Sequence, residues 1–423
     1  MVLKCYLYTY TSFPFMATTT STDTRPYDLL IRGGRLIDGK NSIQQNMDLA
    51  IRGDKIAKVA GTIDPRQALK TIDVSGLLVC PGLIDMHAHH FYGTDSSAYL
   101  SNGNCALPPD GFTFRSGVTT VVDTGGSGWK NFGQFKKQTI DTAGTRVLAL
   151  LNIVGSGMKG GAIEQNKKDM DPEKTAETAL QYKDHVVGIK LAHFLGPDWE
   201  PTERTVAAGV GASLPVMIDF GRSDPPLSLA TLFLEKLRPG DIYTHCYAHV
   251  SGREPIVGPD GKLRPFVKES REKGIWFDVG HGEASFDYRQ AIPALAQGFP
   301  PDSISSDLHT GCMNAGMKDL LNVASKFLNM GMPLAEVIHA LSWHPSRGIR
   351  RPELGHLGEG AVADVAVLNL REGAFGFVDA QGRRKAGNRK LECELTLRAG
   401  RIVYDLNGLA AMPLDEETVL ATN

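Results

Sequence analysis

The sequence predicts an α/β protein: a (β/α)8 TIM barrel with a small β-sandwich domain formed from both terminal segments. Three observations carry that prediction. Short apolar runs recur through the centre of the chain, most of them followed by a helical pattern, and repeated β-α units build parallel sheets. Nearly every run ends in a polar residue, as expected at the C-terminal face of a barrel. Segments of all-β pattern flank this centre on both sides. A doubly wound open sheet is the architectural rival.

The 423 residues suffice for one large domain and a smaller one. A formal net charge of -2 gives no electrostatic case for nucleic acid or a membrane surface. The six cysteines form no CxxC pair and no disulfide framework, so a reducing compartment, the cytoplasm, is expected. No apolar run approaches the ~20 residues that span a bilayer. Residues 1–25, aromatic and then Thr/Ser-rich, read as a disordered extension, and 411–423 as a tail.

The sandwich is expected from residues 26–76 and 354–410. Asp28 to Gly39 reads strand, Gly33-Gly34 turn, strand, and Asp48 to Val59 repeats the pattern around Gly53-Asp54. Thr71–Val74 adds a strand. At the far end Asp364–Leu368 is a strand and Leu395–Tyr404 a hairpin. Single hairpins are marginal alone, so the two ends pack together.

The barrel is expected over 77–353. Its strands are Val79–Met86, Thr119–Asp123, Arg146–Ile153, Val186–Leu191, Pro215–Phe220, Asp241–His245, Ile275–Val279 and Ser303–Asp307. Helices fall at Phe132–Ala143, Asp171–Asp184, Thr202–Val210, Leu227–Leu237, Arg264–Lys273 and Arg289–Gln297. Two more, Gly316–Asn329 and Leu334–Leu341, lead back to the β-layer.

The polar strand ends carry the chemistry. His87 and His89 alternate with Ala88, so on a strand both imidazoles point the same way and make half a metal site. Lys190 ends an apolar strand. A bare ammonium there would oppose a metal, whereas a lysine carboxylated by CO₂ is an anion able to bridge two cations. Asp219 is a candidate ligand for a second metal, with a salt bridge to Arg222 as the competing reading. His245 is a natural ligand at its strand end, while Cys246 alternates into the packing and His249 lies beyond. Asp307 ends the last strand as metal ligand and general base. His281, with Gly282, is placed to contact substrate. Asp123 reads as structural, and His193 as a neighbour of the site. Arg115, Arg222 and Arg289 are surface or structural residues before they are carboxylate binders. Loops such as Phe91–Pro109 and Ser251–Lys262 are where specificity is expected.

The segments Pro81-Gly82-Leu83-Ile84-Asp85-Met86-His87-Ala88-His89, Gly188-Ile189-Lys190, Thr244-His245-Cys246 and Ser305-Ser306-Asp307-Leu308-His309 resemble the amidohydrolase superfamily. The resemblance is to its dihydroorotase, D-aminoacylase and deacetylase-like branch, over about residues 27–408. Asp110 to Thr120 and Gly358 to Asp364 add to it. The resemblance implies two divalent ions, Zn²⁺ first and Mn²⁺ as the harder alternative, bridged by a carboxylated lysine. It implies that His87, His89 and Asp307 hold one ion, that Lys190 bridges, and that His245 holds the second. Where the family usually has a histidine this chain has Asp219, read as the substituted ligand.

The function implied is hydrolysis of a non-peptide amide bond in a small molecule, such as an N-acyl amino acid or cyclic amide. Water activated by metal attacks and Asp307 moves the proton. An acetyl-ester hydrolase or deacetylase on the same centre is the alternative. A single-metal deaminase and a non-catalytic, dihydropyrimidinase-related scaffold are the rivals. Assembly as a homo-oligomer is left open.

Overall fold

Strands buried on both faces are apolar almost throughout, and the centre of this chain supplies such runs in succession. The computed structural model describes residues 24–93, 106–219 and 221–414. Seven strands form one parallel sheet in chain order: β1 (Leu83–Ala88), β2 (Val118–Gly128), β3 (Arg146–Asn152), β4 (Val186–Ala192), β5 (Val216–Asp219), β6 (Ile242–Tyr243) and β7 (Trp276–Phe277). Residues 303–308, here β8, close it. Ser303 bridges Asp278 in parallel, and Leu308 bridges Ala88. His281 N–H donates to the Ser305 carbonyl, and His89 N–H to that of Leu308. The sheet is therefore a closed barrel, as expected.

Ile84, Met86, Val122, Leu148, Leu150, Val187, Met217 and Ile242 fill its interior. A larger apolar shell packs the outer faces of the strands against the helices. The helix over Pro172–Gln181 shows why these sequences turn where they do. Asp171 caps it by accepting from Lys174 N–H, Pro172 occupies the first turn, and Thr175, Ala176 and Ala179 face inward. Helices at Phe132 and Leu229 each widen into a π-turn, over Lys136–Ile140 and Leu232–Lys236.

The sandwich places a four-stranded sheet, with Tyr27–Arg32 at its interior, over a six-stranded one. Their facing side chains, including Leu29, Ile31, Leu36, Val79, Val365, Val367, Leu395 and Leu397, form a core of their own. Leu78–Pro81 pairs in parallel with Arg35–Asp38 and antiparallel with the start of Val365–Val378. Strands from both ends of the chain thus share one sheet.

Three local expectations change. Gly33-Gly34 does not turn a hairpin: Tyr27–Arg32 and Arg35–Asp38 go to different sheets. The single strand expected over Val79–Met86 is two, broken at Gly82. Leu78–Pro81 belongs to the sandwich and Leu83–Ala88 to the barrel, because Gly82 N–H donates to Asp364 and Leu83 N–H to Gly117. The short strand expected at Asp364 is one arm of a long hairpin, Val365–Val378 with Arg384–Arg398. The hairpin lies on the helix Leu320–Asn329, where Asn329 Nδ2 donates to the Arg389 carbonyl (2.7 Å) and Leu391 N–H to Ser325 Oγ (3.0 Å). Of the two terminal stretches, 1–23 and 415–423 lie outside the described residues, as do 94–105 of the first specificity loop.

Candidate metal centre

His87 and His89 leave the C-terminal end of β1 on one face, and Asp307 reaches them from β8. One ligand atom from each lies within 4.8 Å of the other two, and all three residues are buried. His89 Nε2 is 2.9 Å from Asp307 Oδ1, and His87 Nε2 is 3.5 Å from it. Gly282 makes room for this carboxylate. It has a φ of 53°, and a Cβ there would sit 2.2 Å from Asp307 Oδ2.

Hydrogen bonds behind the imidazoles fix which nitrogen faces the site. Thr244 Oγ1 donates to Asp278 Oδ2 (2.7 Å), so its oxygen accepts from His87 Nδ1 (2.8 Å) and leaves a lone pair on His87 Nε2. His245 Nδ1 donates to the Gly280 carbonyl (2.6 Å), so a lone pair on its Nε2 faces Asp219 Oδ2 at 3.1 Å. Gly280 is required here as well, since a Cβ would lie 2.7 Å from His245 Nδ1 and 2.9 Å from His87 Nδ1. Lone pairs and carboxylate oxygens aimed at each other repel unless a cation lies between them. Among the described residues, His89 Nδ1 is buried with no hydrogen-bond partner. The N/N/O donor set and this arrangement fit a divalent metal.

Lys190 is buried at the end of β4. Its Nζ is 3.5 Å from His87 Nε2 and 3.7 Å from Asp219 Oδ2, so it stands between the two groups. Burial pulls the Lys190 ammonium below its ordinary range, against the pull of Asp219 and Asp307. His87 falls to about 4 through burial and the Lys190 charge. Burial alone would raise Asp307, but His87, His89 and His309 outweigh it and hold the carboxyl well below the usual range. Burial likewise opposes, and His245, Lys190 and His193 overcome, the same shift at Asp219.

The structure brings His87, His89, Lys190, Asp219, His245 and Asp307 together. The arginine paired with Asp219 is Arg253, whose Nη2 lies 2.7 Å from Oδ1, rather than Arg222. His281 is fully buried and engaged elsewhere. Its ring stacks on Phe286, Nδ1 faces the Gly282 carbonyl (3.0 Å) and Nε2 accepts from Lys326 Nζ (2.6 Å). Lys326 also donates to the carbonyls of Gly316 and Val378. Burial pushes this amine down to about 7, yet three acceptors match the three protons of an ammonium, and the geometry favours the charged form. Asp123 is structural, accepting from the backbone of His90, Phe91 and Gly126. Cys246 is buried in the apolar shell. His249 and Arg289 both turn to Asp287.

A cavity of about 280 Å³ opens over the centre. Its walls include His193, Arg222, Arg253, Glu283, Asp307 and His309. Sequence reasoning did not single out Arg253, Glu164, Thr244, Asp278 or His309. His309 is visible only as the polar residue two positions beyond Asp307, and the others act from loops or from positions with no spacing signal.

No family model matches the chain. The deacetylase Atu3266 of Agrobacterium fabrum is 32% identical over 353 residues, covering 81% of this chain and 83% of the relative. A crystal structure of an adenine deaminase superposes with a TM-score of 0.81 at 27% identity, covering 90% of this chain and all (100%) of that one. A dihydroorotase structure gives 0.79 at 28%, covering 89% and 99%.

Proposed function

The chain belongs to the amidohydrolase superfamily of metal-dependent hydrolases, and on that premise we propose that it hydrolyses a non-peptide amide bond of a small molecule, such as an N-acyl amino acid or a cyclic amide. The observation that carries this reading is the buried convergence of His87 Nε2, His89 and Asp307 on one point beneath an open cavity. A divalent ion held there supplies Lewis acidity and brings the pKa of a water toward ~7.

The chain's own residues do the rest. Thr244, Asp278 and the Gly280 carbonyl hold the imidazoles in the tautomers that aim Nε2 inward. Asp307, at the end of β8 beside His87 and His89, takes the proton of the attacking water and delivers it to the leaving nitrogen. We assign Lys190, carboxylated at Nζ by CO₂ with release of a proton, as the residue that would help hold both ions, and Asp219 and His245 as residues that would hold the second. The position of its Nζ between His87 and Asp219 supports this. Zn²⁺ suits the imidazoles, and the carboxylate of Asp219 makes Mn²⁺ the harder alternative. Gly282, against Asp307, borders the substrate, with His281 supporting it from behind. Four buried cysteines, Cys80, Cys246, Cys312 and Cys393, are free, which supports a reducing, cytoplasmic setting. Among the described residues no helix is long and apolar enough to cross a membrane.

A second reading, an acetyl-ester hydrolase or deacetylase on the same centre, is supported by the deacetylase name of the Agrobacterium fabrum relative. The test is a screen of N-acyl amino acids, cyclic imides and acetyl esters with protein stripped by chelation and reloaded with Zn²⁺ or Mn²⁺. Turnover of an amide class that vanishes on stripping and returns on reloading is expected. Turnover of esters alone selects the second reading. Activity indifferent to stripping overturns both. Metal content of about two, one or no equivalents separates the bridged centre from a single-metal deaminase and from a scaffold.

A further inference from the structure

We propose that His193 is a ligand of the second metal ion, supplying from the end of β4 the imidazole that Asp219 has displaced from β5. The inference rests on the two-metal reading above.

Three observations carry it. His193 Nε2 lies 3.4 Å from Asp219 Oδ2, the same oxygen that His245 Nε2 approaches at 3.1 Å and Lys190 Nζ at 3.7 Å. Three nitrogens thus gather on one carboxylate oxygen, whose partner Oδ1 is held by Arg253. The other ring nitrogen, Nδ1, faces the buried carboxylate of Glu164 at 3.1 Å. A metal-bound histidine nearly always donates its second N–H to a carboxylate or carbonyl, which fixes the ring and raises its basicity. Glu164 stands to His193 as Asp278, through Thr244, stands to His87 and as Gly280 stands to His245.

The third observation is in the backbone. His193, His245 and Asp307 adopt left-handed conformations, with φ of 52°, 56° and 53°. Such angles are unfavourable for non-glycine residues and persist where the surroundings impose them, commonly at functional sites. His245 and Asp307 are both assigned ligands, and His193 has the same twist at the same barrel face. Its side chain is half-exposed, on the wall of the cavity.

The arrangement takes a divalent cation of borderline hardness, matched to two imidazoles and a carboxylate. Asparagine tolerates the left-handed backbone, so His193→Asn removes the imidazole with little added strain. The experiment loads intact protein with Co²⁺, removes free ion by gel filtration, and reads metal equivalents and the visible absorption spectrum. Wild type is expected to hold two equivalents. His193→Asn is expected to hold one, with a changed spectrum and an unchanged circular dichroism. Glu164→Gln leaves the imidazole in place and serves if the first variant does not fold. Its affinity for the second equivalent is expected to fall about 10–100-fold. Two equivalents in wild type, with His193→Asn retaining both at affinities within about two-fold, overturns the role of His193 and leaves the two-metal reading standing. One equivalent in wild type overturns both.

Discussion

Asp307 holds the centre together electrostatically as well as geometrically. Its two oxygens face His87 and His89 on one side and His309 on the other, 3.9 Å away. Asp307→Asn keeps the shape but removes the proton acceptor. General acid–base groups contribute roughly 10²–10⁴-fold, so kcat is expected to fall by at least that range in steady-state assays of the reloaded enzyme. KM should change far less. Residues at this scale were legible where spacing betrays them. His87 and His89 share a face because strand residues alternate, and Lys190, His245 and Asp307 end apolar runs. Arg253 was not legible. It pairs with Asp219 across 34 residues of chain, from a loop whose path no local pattern records. Nor was the true setting of His281, because the lysine that occupies its Nε2 lies on a helix 45 residues away.

The helix Leu334–Leu341 and the short helix Trp343–Gly348 join the barrel to the sandwich, and histidines mark the joint. His339 packs against Gly39, and its ring meets that of His344. Burial lowers both below the ordinary imidazole range. The neighbouring imidazole and Arg347 add to the shift at His344, while Asp38 and Glu336 oppose it at His339. In the unfolded chain these histidines take up protons near pH 6.5. In the folded chain they resist until a lower pH. The unfolded state therefore binds more protons below pH ~6.5, and stability falls as pH drops through that window. Thermal melts between pH 7 and pH 5 should show a smaller decline in Tm for His339→Gln than for wild type. Elements were legible where period and punctuation agree. Pro172 and Pro265 mark helix starts, and Gly274 a helix end. β6 and β7 keep only two laddered residues each, fewer than their apolar runs suggested. The long hairpin escaped because Arg371 to Arg389 is largely charged and glycine-punctuated, with only Phe375 and Phe377 alternating to announce a strand.

For the whole molecule, barrel and sandwich are joined by strong local chemistry. Arg146 of β3 donates to Asp364 (2.6 Å), which also accepts from Arg398 (3.2 Å) in the sandwich. Leu395 is fully buried between the two sandwich sheets. Leu395→Ala is expected to cost about 2–5 kcal/mol, read as a shifted denaturant midpoint. If the sandwich frayed independently, the melt would instead split into two transitions. The architecture was legible because eight strands, seven of them followed by a helix, and two flanking β segments leave few alternatives. The hand-over at Gly82 was not, since the apolar residues on either side of Pro81-Gly82 read as one strand yet serve two bodies. That hand-over bears on synthesis at the ribosome. Cys80 finds its neighbour Ala366 only 286 residues later. Until then Leu78–Pro81 emerges with one edge unpaired, directly ahead of the strand that carries His87 and His89. Bare strand edges invite wrong partners during slow, non-local assembly. The nascent chain must therefore hold the first half of its metal centre beside an open β-edge while those 286 residues are made, and a holdase at that stage would act on this strand first.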